Sequence, residues 1–223
     1  MTEKSPRGVL LDLDGTLIDS NDAHAHTWVT ALAASGFDIP FARVRRLIGM
    51  GGDKLLPEVA QLTKDSPQGQ RISADWERIF TRDYQPHLRP FPQVRALVQR
   101  LREAGLQVAI ASSSQAAQLD ALLKVADIAD LLDDTTSSDD AAQSKPDPDI
   151  IGAALRKIGL RAAETLLLGD TPYDIEAAQQ LGVRTIAVRC GGRGDTDLAG
   201  ALVIYDDPAD LLARFGTSPF AGV

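Results

Sequence analysis

The sequence predicts an α/β protein: a doubly wound parallel sheet in a Rossmann-like core, with an α-helical domain inserted after the first strand. Three observations carry this expectation. Short apolar runs alternate with amphipathic segments that stop at glycine, the pattern of strand–helix units. Residues 20–88 hold only helical patterns and interrupt that alternation. Acidic and hydroxyl residues recur just beyond the apolar runs, where open α/β sheets bind ligands.

The elements follow in order. Val9 to Leu13 reads as the first buried strand and breaks into Gly15. Between Ser20 and Leu88, Trp28, Val29, Leu32 and Ala33 mark a helical face, while Gly36, Pro40 and the glycines at 49, 51 and 52 separate the segments. The stretch PHLRPFP marks the return to the sheet. In FPQVRALVQRLREAG, Val94, Leu97, Val98 and Leu101 recur at i, i+3, i+4 and i+7, and Gly105 stands where a left-handed cap ends a helix. Val108 to Ser112 is the second strand. PDPDIIGAALRKIG offers a helix between Pro148 and Gly159, followed by strands at Thr165 to Leu168 and Arg184 to Val188. In DDPADLLARFG, Asp207 is the expected N-cap and Gly216 the stop. The core is therefore expected from residues 1–19 and 89–223, and the helical insert from 20–88.

Composition limits the function. The 223 residues are 44% hydrophobic and 24% charged, enough for one large domain or two modest ones. A formal net charge of −8 argues against nucleic acid or anionic membrane as a partner, because phosphate backbones are bound through clustered Lys and Arg. A single cysteine, Cys190, leaves no internal disulfide, and the charged TEKSPR start leads straight into a strand without a signal sequence. No apolar run approaches the roughly 20 residues a membrane span needs. The expectation is a cytoplasmic protein, and the acidic surface suits a monomer.

The chemistry sits at the strand ends. Asp12 and Asp14, two residues apart after the first strand, are expected to face one side. Ser112, Ser113 and Ser114 end the second strand. Lys145 precedes a helix in SKPDPD, and Asp170 and Asp174 occupy GDTPYD. Close carboxylates repel, and burying them is costly unless a cation compensates, so Mg²⁺ is the expected partner of Asp12 and Asp170. A carboxylate can accept a phosphoryl group, a second acid can move the proton, and hydroxyls, amides and an ammonium suit the phosphoryl oxygens. The pattern points to metal-assisted phosphoryl transfer.

DLDGT, a strand-ending Ser, SKPDPD and GDTPYD, in this order, resemble the four motifs of the haloacid dehalogenase superfamily, in its Mg²⁺-dependent phosphatase branch. The resemblance implies Asp12 as nucleophile and metal ligand, and Asp14 as general acid/base whose backbone carbonyl also binds Mg²⁺. It further implies Ser112 and the Ser113 amide on phosphate, Lys145 bridging phosphate and nucleophile, Asp170 on Mg²⁺ and Asp174 supporting the metal. The insert matches the family's helical cap, with hinges expected near Asp19–Ser20 and Leu88–Pro90. Asp14 favours phosphate esters over carbon–halogen cleavage, since the dehalogenases lack an acid there.

DSNDAHAHTW is also similar to beta-phosphoglucomutases, with His24 expected to face substrate and Trp28 to pack in the cap. The mutases carry a phosphate-gripping Arg in their cap loop where this chain has Gly52, leaving Lys54, Arg78 or Arg82 as substitutes. MGGDK matches a phosphonoacetaldehyde hydrolase pattern around its lysine, but those relatives usually have Ala in place of Asp14. Gly51 and Gly52 are expected in a flexible loop that meets the substrate. His24 and His26 form an HxH pattern, read as a helix face rather than a metal site. The expected function is Mg²⁺-dependent hydrolysis of a small phosphorylated metabolite, a sugar phosphate or phosphoglycolate-like ester. A sugar-phosphate mutase and a non-catalytic phosphometabolite-binding protein are the alternatives.

Overall fold

A computed structural model describes residues 5–221. The expected core segments extend beyond it at 1–4 and 222–223, and Thr2, Glu3 and Lys4 of the charged start lie outside the described residues.

The first apolar run forms β1 (Gly8–Leu11), whose four residues are all buried. It is shorter than expected: the strand ends at Leu11, and Asp12 and Leu13 lie just beyond it. Helix α1 (Asn21–Ala34) follows, then α2 (Phe41–Arg45), α3 (Gly52–Ala60) and α4 (Pro67–Ile79), with a wider helical turn continuing through Phe80–Tyr84. Trp28 and Leu32 are buried but Ala33 is exposed, because the inward stripe of α1 runs through Ala25, Trp28, Ala31 and Leu32. These side chains join Val44, Leu55, Leu56 and Ile72 in a hydrophobic cluster of the helical insert. Phe80 and Leu88, at its far end, pack in the cluster of the sheet instead.

The remaining elements alternate: α5 (Val94–Glu103), β2 (Gln107–Ala111), α6 (Ala116–Ala126), β3 (Asp134–Thr136), α7 (Asp149–Ile158), β4 (Thr165–Gly169), α8 (Pro172–Gln180), β5 (Arg184–Val188), β6 (Val203–Tyr205) and α9 (Pro208–Ala213). The local signals hold where they were read. Gly105 and Gly159 have left-handed φ values of +80° and +66°, and the Asp207 carboxylate caps α9 by accepting from the Asp210 amide. Gly216 is a correction. Helix α9 ends at Ala213, and Gly216 lies inside a short turn of 3₁₀ helix, Phe215–Thr217, without positive φ.

All strand pairs are parallel, in the order β3-β2-β1-β4-β5-β6. Alternate residues build two cores. Val9 and Leu11 pack with α5, α6 and α9 on one face, while Leu10 packs with α7 and α8 on the other. From β1 the chain winds out to β3, then returns to place β4 on the opposite side of β1. The carboxyl ends of β1 and β4 thus form the topological switch point, where such sheets bind ligands. Among the described residues no helix is long and apolar enough to cross a membrane.

Candidate active site

Asp12 and Asp170 follow directly from β1 and β4. The Asp12 amide donates to the Leu168 carbonyl at 2.9 Å, so the parallel ladder runs one residue past β1 and holds Asp12 beside the end of β4. Asp174 stands in the first turn of α8. Its Oδ2 accepts from the Thr171 amide at 3.1 Å and from the Thr171 hydroxyl at 2.6 Å, a reciprocal cap that fixes the side chain. One carboxylate oxygen from each of Asp12, Asp170 and Asp174 lies within 4.8 Å of the others.

Lys145 enters this cluster from the loop before α7. Its ammonium donates to Asp12 Oδ1 and to Asp174 Oδ1, both at 2.7 Å, and the residue is fully buried. The Thr16 hydroxyl lies 2.8 Å from Asp12 Oδ2 and 3.1 Å from Asp170 Oδ1. Asn21 donates from its amide nitrogen to Asp170 Oδ2 at 2.8 Å and to the Gly191 carbonyl at 2.9 Å. Gly15 makes this closeness possible: its φ is +81°, and a Cβ there would stand 2.0 Å from Asn21 Nδ2 and 2.4 Å from Asp170 Oδ2.

Three buried carboxylates face one ammonium, and the protonation of Asp12 and Asp170 records the imbalance. Burial pushes the Asp12 carboxyl up, Lys145 pulls it down, and the Asp174 and Asp14 charges push it up again, to about 7. Burial, then the Asp12 and Asp174 charges, raises Asp170 well above the usual carboxylate range despite its bonds from Asn21 and Thr16. Burial alone would lower Lys145, but Asp12 and Asp174 outweigh it and raise it. A buried oxygen-only set carrying surplus negative charge fits a small hard dication such as Mg²⁺. Asp12, Asp170 and Asp174 are the residues that would hold it.

The Asp14 carboxylate lies outside that cluster. Its Oδ1 accepts from the Ser20 hydroxyl at 2.6 Å and lies 2.7 Å from His24 Nε2, and its Oδ2 accepts from the Ser114 hydroxyl at 2.9 Å. Burial would raise its pKa, but the His24 charge and the hydrogen bonds from His24, Ser20 and Ser114 together hold it below the usual range. Asp12 and Asp14 do line one cavity. They reach it through the turn after β1 rather than by strand alternation.

That cavity, of about 110 Å³, lies between the sheet and the helical insert, lined by Asp12, Asp14, Ser112, Ser113 and Ser114 on one side and by His24, Trp28, Trp76 and the segment from Ile48 to Asp53 on the other. Ser112 is buried and accepts from the Ser114 amide at 3.1 Å; the Ser113 hydroxyl is buried with no hydrogen-bond partner among the described residues. His24 stacks on Phe80 with centroids 4.4 Å apart, while His26 is exposed and packs on Phe41. Gly51 and Gly52 line the cavity at the start of α3. The Gly51 amide donates to Ser144 Oγ at 3.0 Å, and a Cβ on Gly52 would meet the Trp28 ring at 3.1 Å.

The insert is closed on the sheet. Asp53 accepts from the Ser144 hydroxyl at 2.6 Å and from its amide at 3.2 Å, next to Lys145 in the chain. The Arg45 guanidinium donates to the Gly191 carbonyl at 2.6 Å and the Tyr173 hydroxyl to the Arg46 carbonyl at 2.8 Å. The two linkers run side by side, with the Asp19 amide on the Arg89 carbonyl at 3.1 Å and the Phe91 amide on the Leu17 carbonyl at 2.9 Å. The cations considered for a second phosphate do not line the cavity. Lys54 bonds Gln143 at 2.6 Å and pairs with Asp147 at 2.5 Å, while Arg78 and Arg82 pair with Asp75 and Asp83 at the surface.

Of the residues that hold the acids, Thr16 and Asn21 were not singled out from sequence, while Ser20 was read only as a hinge and Ser114 only as a strand-ending hydroxyl. Thr16, Ser20 and Asn21 lie within the DLDGTLIDSN segment, and that proximity was the signal available.

The profile of the haloacid dehalogenase-like hydrolases matches residues 9–188. A phosphoglycolate phosphatase of Pectobacterium atrosepticum is 31% identical over 95% of this chain and 93% of its own. The crystal structure of a hydrolase from Pseudomonas syringae superposes with a TM-score of 0.88 at 31% identity, over 94% of this chain and 98% of that one. A beta-phosphoglucomutase of Clostridium difficile superposes with a TM-score of 0.80 at 15% identity, over 97% of both chains, a likeness of fold alone.

Proposed function

The chain belongs to the haloacid dehalogenase-like hydrolase family, and on that premise we propose that it is a Mg²⁺-dependent phosphatase working through an aspartyl-phosphate on Asp12. It is an enzyme, a phosphoric monoester hydrolase. Its substrate, in this reading, is a small phosphorylated metabolite, a sugar phosphate or a phosphoglycolate-like ester, and it works in the cytoplasm as a monomer. The observation that carries the reading is the buried Asp12–Lys145–Asp174 arrangement beside Asp170, opening on a cavity edged with serine hydroxyls.

A bound Mg²⁺ supplies positive charge for the phosphoryl oxygens and relieves the repulsion among the three carboxylates. The protein does the rest. An Asp12 oxygen bonds to phosphorus as the bond to the leaving oxygen breaks, and Lys145 steadies both the carboxylate and the transferred group. In this reading Ser112 and the Ser113 amide hold the phosphoryl oxygens. Asp14, linked to His24, hands a proton to the leaving oxygen and later takes one from the water that attacks phosphorus, freeing Asp12. The helical cap excludes bulk water while both steps occur.

The test is phosphate release across phosphorylated sugars, glycolate, nucleotides and polyols, with Mg²⁺ and with EDTA, using Asp12→Asn as the blank. Mg²⁺-dependent release that vanishes in the blank is expected. Release that persists in Asp12→Asn overturns the mechanism. Isomer formation exceeding release from a sugar phosphate would instead identify a mutase, a reading to which Lys54, Arg78 and Arg82 give no support because none lines the cavity.

A further inference from the structure

We infer that Arg45 of the cap is a positioning residue for Asp170, acting through the Gly191 carbonyl and Asn21, so that cap closure and Mg²⁺ binding reinforce each other; this rests on the Mg²⁺-dependent phosphatase reading. Arg45 is the last residue of α2. Its Nη2 donates to the Gly191 carbonyl at 2.6 Å, and its Nε donates to Asp22 Oδ1 at 2.6 Å. Asn21, the first residue of α1, donates to the same carbonyl at 2.9 Å and to Asp170 Oδ2 at 2.8 Å. A carbonyl oxygen offers two lone pairs and a side-chain amide nitrogen two hydrogens, so both groups are fully committed. Asn21 and Asp170 are buried, where water does not compete for these bonds.

The main chain between Asp170 and Arg45 presses on both. A Cβ on Gly191 would stand 1.7 Å from Asp170 Oδ2, and one on Gly192, at φ +90°, would stand 2.7 Å from Arg45 Nη2. Two consecutive glycines thus let one stretch of backbone touch the acid with one residue and the guanidinium with the next. A shift of Arg45 is passed on to the carbonyl that orients Asn21. The rest of the seam is fastened separately, since the Arg46 carbonyl accepts from the Tyr173 hydroxyl at 2.8 Å and from the Arg193 guanidinium at 2.5 Å. Neither of those bonds involves the Gly191 carbonyl or Asn21.

Closing the cap therefore does more than cover the cavity: it sets Arg45 on Gly191 and secures the donor that orients Asp170. By linkage, whatever Mg²⁺ gains from an oriented Asp170 it returns to closure. Charge and position act here with opposite sign. A guanidinium near an acidic metal site repels a dication, so its removal would tighten Mg²⁺ binding if charge were its whole effect. Loss of positioning weakens binding instead.

Calorimetric titration with Mg²⁺ compares the unaltered protein with Arg45→Ala, Arg45→Lys and Tyr173→Phe. Arg45→Ala should weaken Mg²⁺ binding about fivefold or more, the lower range of coupling between sites. Arg45→Lys keeps the charge and a donor and should recover part of that loss. Tyr173→Phe loosens the seam but leaves the Gly191 bonds, and its loss should be the smaller. Amide exchange across residues 41–48 of the unaltered protein should slow when Mg²⁺ saturates it. Unchanged or tighter binding in Arg45→Ala, an equal loss in Tyr173→Phe, or exchange indifferent to Mg²⁺ overturns the role of Arg45. Phosphate release by the unaltered protein judges the parent reading separately. Release with a Mg²⁺ affinity indifferent to Arg45 sinks the positioning role alone, and weakened Mg²⁺ binding in Arg45→Ala without release from any ester sinks the phosphatase alone.

Discussion

The Lys145 ammonium stands 2.7 Å from the Asp12 carboxylate, with both side chains withdrawn from solvent. The same ammonium reaches Asp174 at 2.7 Å, so one cation serves an acid that follows β1 and one in the first turn of α8. Removing it leaves the acids buried with no compensating charge. Lys145→Met should therefore destabilise the metal-free protein by about 3–5 kcal/mol, the range for breaking a buried ion pair from one side. Urea unfolding in EDTA measures this, and a loss below 1 kcal/mol would mean that water already screens the cluster.

Protonation of the cluster ties stability to pH. Asp12 holds its proton up to about 7 in the folded metal-free protein, whereas the unfolded chain releases it near the ordinary carboxylate value of 3.8. Between those values the native state binds more protons, so metal-free stability falls as pH rises and levels off above about 7. Asp170, also raised, acts in the same direction. Mg²⁺ removes the burden, and the difference in melting temperature between Mg²⁺ and EDTA should widen from pH 5 to pH 8. A difference that stays constant across that range would contradict a metal seated on these carboxylates.

Asn21 belongs to the cap but holds a core acid. Its amide nitrogen donates to Asp170 at 2.8 Å and to the Gly191 carbonyl at 2.9 Å, fixing the carboxylate at the point where the cap helix begins. Asn21→Ala should weaken Mg²⁺ binding about 10- to 100-fold, as loss of a partner behind a metal ligand commonly does. Calorimetric titration with Mg²⁺ reads this without reference to turnover; unchanged affinity would show that Thr16 alone holds Asp170.

Cap closure runs through Asp53, which takes two hydrogen bonds from Ser144, the neighbour of Lys145. Asp53→Ala should loosen the closed form, raise KM several-fold and speed amide exchange in α3. A raised KM without faster exchange would place the effect in substrate contact instead of closure.

Much of this protein was legible in its sequence. The strands β1, β2, β4 and β5 are short apolar runs between turn residues, and the ends of α5 and α7 announce themselves in Gly105 and Gly159. Such signals are local: periodicity and caps act over a few residues, so they survive without knowledge of neighbours. The edge strands β3 and β6 were not read, because three residues each carry too little pattern. The order of the acids and Lys145 along the chain located the site, since a parallel sheet brings strand ends to one edge whatever the loops do.

The tertiary structure alone decided how those residues divide their work. Asp12 and Asp14 are alike in sequence, yet Asp12 faces Lys145 and has a raised pKa, while Asp14 faces His24 and has a lowered one. No spacing rule separates them; the difference comes from which loops the fold brings within about 3 Å. A side chain's identity states which bonds it can make, and only the packed chain determines which partners are there to make them.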